Sequence, residues 1–365
     1  MIRRRQAAAS VGLLALCCTA PGALRAAALI ERNVPAPAEP ATKGLDAALL
    51  EETLVRASKL PRLHALIIAH NGEERAARVF RGPDLDRPVN VKSVSKSVIS
   101  ALAGAAIERG VLEGIDQRIA PVLDDLVPAD ADPRVGAITV GHLLSMRAGL
   151  ERTSGRNYGR WVNSPNWVRF ALSRPFVDQP GGRMLYSTGS YHLLSAMLTR
   201  ASGRSTLALA RNWIGEPLGI HIPPWTRDPQ GIYLGGNNMA LSPRALLSFG
   251  ELYRRGGVFR ERRVLPESWI QASWTPRARS RYTGHAYGYG WFIASARGHR
   301  VYYAWGYGGQ MIYVVPDLAL TAVMTSDLTE PSGRSGYARE LHALLARGIV
   351  PAAERGVSMQ DGTSP

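Results

Sequence analysis

The chain has 365 residues, 45% of them hydrophobic, which is enough for a sizeable core in one large domain or two smaller ones. Its formal charge is +15, but the arginines are scattered singly and in pairs with no long basic block, which argues against a nucleic-acid partner. Both cysteines, Cys17 and Cys18, lie in the opening segment, so beyond it there is no thiol for a disulfide or a metal.

In chain order, residues 1–28 ("MIRRRQAAASVGLLALCCTAPGALRAAA") combine Arg3, Arg4 and Arg5 with an apolar run from Ala7 to Ala20 and an alanine-rich end. That is the build of a secretory signal peptide, and the run is too short to span a bilayer. A periplasmic or extracellular destination is expected, with no transmembrane span; loss of the leader leaves a charge of +11. Residues 29–46, rich in Pro and Ala, read as a linker. The folded domain is expected over 47–348, beginning with an amphipathic helix at 47–58. Two apolar runs around His70-Asn71-Gly72 then predict a hairpin. From Val94 the residues Val98, Ile99, Leu102 and Ala106 recur at helical spacing up to Gly110. Residues of about 111–285 read as helices joined by Gly/Pro-rich loops, with few strands. "YGYGWFIA", "RVYYAW", "QMIYVV" and "LALTAVMTS" are four closely spaced strands, "GYARELHALLARGIV" a terminal helix, and 349–365 a tail. The fold class is therefore α/β of the α+β type. Its antiparallel sheet, flanked by helices, is built from both chain ends, and a mostly helical lobe is inserted between them.

Of 44 basic residues only four are lysine, at 43, 59, 92 and 96. Lys96 stands three residues after Ser93, in the only Ser-x-x-Lys of the chain. On a helix the two share a face one turn apart. A serine hydroxyl is a weak nucleophile until a base takes its proton; a desolvated lysine can do so, whereas arginine stays protonated. The first turn of the helix would also favour negative charge developing beside Ser93. Rival plans fail: no Gly-x-Ser-x-Gly, His-Glu-x-x-His or Walker-type loop occurs. His142 and His192 each precede Leu-Leu on expected helices and read as structural. No cofactor and no metal is expected. Lys92 has no role on these grounds.

"SVSK" opening a helix, "HLLSMRAGL" at 142–150, "PGGRMLYSTGSYHLLSAMLTRASG" at 180–203 and "YAWGYGGQMIYVVPDLAL" near the end together resemble the serine β-lactamase-related family. That family comprises class C β-lactamases, penicillin-binding carboxypeptidases, esterases and 6-aminohexanoate-dimer hydrolases. The similarity runs in order over about 47–348. It implies Ser93 as the acylated nucleophile, Lys96 as the motif lysine, and Tyr186 as the tyrosine that relays protons; a packed loop tyrosine is the alternative. Thr188 stands where the family has Asn and offers one hydrogen bond in place of a two-ended amide, which weakens recognition of a β-lactam side chain. The family's Lys-Thr-Gly is absent, with Trp305-Gly306 in its place and Gly308-Gly309 leaving the backbone open. An oxyanion hole needs backbone donors and no particular side chain, so it survives this change. Trp305 is either an apolar wall of the site or a core aromatic.

The resemblance implies an exported serine hydrolase of the esterase or 6-aminohexanoate-oligomer-hydrolase branch. Its partner would be a small-molecule ester, amide or short peptide, and Thr188, Trp305, Gly306 and Gly308 would contact substrate. A D-Ala carboxypeptidase or β-lactamase is the alternative within enzymes. A non-hydrolysing acylatable receptor or envelope-interaction protein is the alternative outside them. The sequence sets no oligomeric state.

Overall fold

A computed structural model describes residues 44–358. The expected signal peptide, and the linker up to residue 43, lie outside the described residues. Helix α1 (Ala47–Ser58) starts where the Asp46 carboxylate accepts the Leu49 N–H at 2.9 Å, and it buries Thr53, Leu54 and Ala57 along one face. Strands β1 (Leu63–His70) and β2 (Glu73–Val79) form the expected hairpin. Its turn residues Asn71 and Gly72 both have positive φ, 55° and 80°, the conformation that Asn-Gly accepts most readily.

Helix α2 (Ser95–Glu108) is buried from Ser95 to Ala106, on every side. Two serines inside it are satisfied across the core, Ser97 donating to the Gly290 carbonyl at 2.6 Å and Ser100 to that of Tyr289 at 2.8 Å. Behind α2 stands the helical lobe, whose longest element, α3 (Thr188–Ser202), packs against it. Next come α4 (Pro243–Arg254) and α5 (Glu267–Trp274). The main sheet is completed by β3 (Ala278–Arg279), β4 (Ala286–Tyr287), β5 (Phe292–Ala296), β6 (His299–Gly306), β7 (Gln310–Val315) and β8 (Leu320–Ser326), while Val89–Asn90 with Ala240–Leu241 and Val258–Phe259 with Arg262–Arg263 form two separate two-residue pairings.

The eight strands form one antiparallel sheet in the order β2-β1-β8-β7-β6-β5-β4-β3. The N-terminal hairpin thus closes against the last strand, Ile67 opposite Val323. This places β1 in the interior of the sheet, which fits the unbroken burial of Ala65 to His70. The edge strand β2 carries Glu73, Glu74, Arg75 and Arg78, charges that keep an open edge from pairing with another chain.

Two expected boundaries change. The helical lobe does not continue to 285: α4 lies on the sheet, with Gly250 pressed between Thr321 of β8 and Ile312 of β7, while β3 and β4 extend that sheet. Helical periodicity reveals that a face is buried but not what covers it. The terminal helix also passes 348. α6 (Tyr337–Leu344) continues through a π-helical turn, Leu345–Ile349, into α7 (Val350–Ser358). Val350, Ala352 and Ala353 are fully buried there, and the Asp46 N–H donates to the Ala352 carbonyl at 2.9 Å.

Candidate active site

β6 ends against the turn that carries Ser93. A Cβ on Gly306 would stand 2.3 Å from the Val91 carbonyl oxygen, so only glycine permits this approach. Ser93 itself lies in a 3-10 turn, Lys92–Val94, that leads into α2, rather than in the first turn of the α-helix. Lys96, one turn on, reaches back: its Nζ is 2.9 Å from Ser93 Oγ. The amine also donates to the Gly236 carbonyl at 2.6 Å and lies 3.5 Å from Thr188 Oγ1. It is 1% exposed and has no carboxylate partner among the described residues, so burial pulls its pKa down from the usual lysine range to about 7.

Tyr186 closes the third side. Its ring centroid is 4.9 Å from Lys96 Nζ, and the Tyr186 hydroxyl hydrogen-bonds Ser93. Burial raises the phenol to about 12, only partly offset by that hydrogen bond. Near neutrality the phenol is therefore protonated while a large share of the amine is not. Of the two, Lys96 is the group able to accept the Ser93 proton, and Tyr186 can pass a proton on without holding a charge.

Ser93, Tyr186, Trp305 and Gly306 line a common cavity of about 860 Å³. Trp305 is half-buried there, its indole N–H donating to Ser332 Oγ at 3.0 Å. Two residues expected at the substrate lie off the cavity. Thr188 is buried: its N–H donates to Ser154 Oγ at 2.8 Å, its hydroxyl lies 2.9 Å from the same oxygen, and its other neighbour is Lys96. Gly308, with φ 85°, sits in the β6–β7 turn, where a Cβ would stand 2.5 Å from the Asp327 carbonyl oxygen; it shapes the turn rather than the wall. The two helical histidines are engaged in the framework, His142 in a capping box with Thr139 and His192 in a buried contact with Asp228 at 3.0 Å. Among the described residues no group of three or more His, Cys, Asp or Glu could hold a metal ion, and no helix is long and apolar enough to cross a membrane.

The segment Gly235–Met239 is the part of the site that sequence reasoning misses. A Cβ on Gly235 would stand 1.9 Å from the Tyr191 carbonyl oxygen, so this glycine lets the segment lie flush on α3 with the Gly236 carbonyl under Lys96. Lys92 ties the same segment to the Ser93 turn. Its Nζ donates to Asn238 Oδ1 at 3.3 Å, Asn90 Nδ2 donates to that oxygen at 3.3 Å, and the Lys92 N–H donates to Asn90 Oδ1 at 2.9 Å. Lys92 and Asn238 both have positive φ, 50° and 64°, a cost borne on each side of the contact. The doublet "GGNN" at 235–238 was the only local signal. Lys92→Ala frees one side of this clamp, and kcat is expected to fall about tenfold, the scale of a lost charged hydrogen bond, with KM little changed. Steady-state kinetics checks this, together with a shifted pH–rate midpoint that a purely structural role would not produce.

With this geometry in hand, the beta-lactamase family model matches residues 62–347. The chain belongs to the beta-lactamase family. A Dichelobacter nodosus protein of serogroup H1 named for fimbrial assembly, FimD, is 33% identical over 144 residues; the match spans 37% of this chain and 35% of that relative, about a third of its length. Among solved structures, a Bacillus anthracis protein named as a 6-aminohexanoate-dimer hydrolase superimposes with a TM-score of 0.65 at 19% identity, over 84% of this chain and 81% of that one. EstCE1, a hydrolase with promiscuous acyltransferase activity, gives 0.65 at 18% identity over 81% and 97%. At these identities the beta-lactamase-family structures establish a shared fold, with its antiparallel sheet flanked by helices.

Proposed function

We propose that the chain is an exported serine hydrolase that cleaves a small ester or amide through an acyl-enzyme on Ser93. The observation that carries this reading is the buried Lys96 amine, 2.9 Å from Ser93 Oγ and without a carboxylate partner among the described residues. The neutral amine takes the Ser93 proton as Oγ attacks the carbonyl carbon. The carbonyl oxygen becomes an oxyanion for which backbone N–H groups at the Ser93 turn and the adjoining end of β6 are the candidate donors. The proton returns through Tyr186 to the leaving alcohol or amine as the bond to it breaks. Water, deprotonated by the same pair, then attacks the acyl-Ser93 ester and releases the acid.

Trp305 in place of a lysine removes the cation that would hold a carboxylate against this strand, which favours an ester or amide over a carboxylated β-lactam. Export rests on the build of residues 1–28. The test is a fluorophosphonate probe followed by mass mapping of the labelled peptide. The adduct is expected on Ser93, with steady hydrolysis of p-nitrophenyl butyrate. Labelling elsewhere would refute the assignment of the nucleophile, and one-time labelling without turnover would favour an acylatable receptor. Release of D-Ala from a peptide stem would redirect the substrate to peptidoglycan.

A further inference from the structure

The cavity beside Ser93 is longer than a small ester requires. From Trp305 it follows β6 past Tyr303 to Val301, a run of roughly 13 Å at the usual rise of a strand. Its width comes from small side chains on facing walls: Ala294 of β5, which pairs with Val301, and Ala343 and Ala346 on the helical run that begins with α6. The polar atoms in the depths are paired with each other. Tyr303 Oη lies 2.8 Å from His285 Nδ1 and Tyr313 Oη 3.0 Å from His342 Nδ1. Burial pushes His342 down to about 4, so this wall is uncharged near neutrality. Among the described residues no Asp or Glu lines the space, whereas Arg334, Arg339 and Arg347 do, all three exposed. At the mouth the exposed rings of Tyr282 and Tyr307 add apolar surface.

We propose that this chamber seats an apolar, non-cationic arm of the substrate, roughly ten atoms long at the strand's rise, lying along β6 beneath α6. The proposal depends on the hydrolase reading only for which end of the arm meets the chemistry, so it is tested by binding on Ser93→Ala, where no turnover intervenes. Calorimetric titration compares N-methylbutanamide with N-methyldecanamide. Each methylene buried is worth about fourfold in affinity, and a gain of at least thirtyfold across the pair is expected after losses to chain ordering. Adding Ala294→Trp fills the chamber and is expected to abolish the gain while leaving N-methylbutanamide unaffected. Ala346→Trp, from the opposite wall, repeats the test should the first variant fold poorly, and thermal melts report which is sound. A terminal amine on the longer amide is expected to weaken it at least tenfold.

Equal affinity for the two amides would overturn the proposal, as would an undiminished gain in a folded, chamber-filled variant. Length-dependent binding without fluorophosphonate labelling of the wild type would uphold the chamber and defeat the hydrolase reading instead.

Discussion

Ser93→Ala is expected to lose covalent labelling entirely and to reduce ester turnover by roughly a thousandfold or more, the scale seen when a nucleophile acting as part of a unit is removed. The fold should be preserved. Ser93 contributes one hydroxyl, hydrogen-bonded to Lys96 and Tyr186 at the cavity wall, and Lys96 keeps the Gly236 carbonyl after the change. Intact-mass spectrometry after probe treatment reads the first outcome, and p-nitrophenyl butyrate kinetics the second. Equal labelling of wild type and variant would remove Ser93 from the mechanism.

Lys96→Arg carries the second large effect. A guanidinium cannot give up its proton near neutrality, so kcat/KM should fall by about a hundredfold to ten-thousandfold, the usual range for a lost general base. If Lys96 is the base, as proposed, the wild-type rate follows the neutral amine. With a pKa of about 7, kcat/KM should climb as pH rises toward that value and level off above it. Stability should follow from the same shift. Between about 7 and the ordinary lysine value of 10.5 the unfolded chain holds a proton on this residue that the folded chain lacks. The stability of wild type relative to Lys96→Met should therefore increase with pH across that window and flatten below it. Chemical denaturation of both proteins at several pH values reads the difference. A flat difference would mean that the buried amine is not neutralised.

The last four long strands and the hairpin were legible because their signals are local: alternation or continuous apolarity, and an Asn-Gly turn that needs two positive φ values. Lys96 was conspicuous because the chain writes nearly all its other cations as arginine. What escaped reading depends on distant segments meeting. The Gly236 carbonyl under Lys96, and the Asn238 oxygen held by Lys92, come from a loop some 140 residues away whose residue types state nothing about their target. Thr188 was judged by its place in a motif, yet its surroundings, Ser154 and Lys96, turn it inward. The placement of α4 was hidden for a related reason, since Leu246, Phe249 and Leu252 suit a helical partner and a sheet equally well.

The sheet order also bears on how the chain can fold. β1, the apolar strand "LHALIIAH", has β2 on one side from the start, but its other neighbour, β8, is made only after the whole helical lobe and five more strands of the sheet have been synthesised. Until then an unpaired, sticky edge is open to any other strand. The nascent chain thus has its greatest need of chaperoning early and cannot discharge it early. Truncation before Leu320 should yield aggregates rather than a smaller folded enzyme.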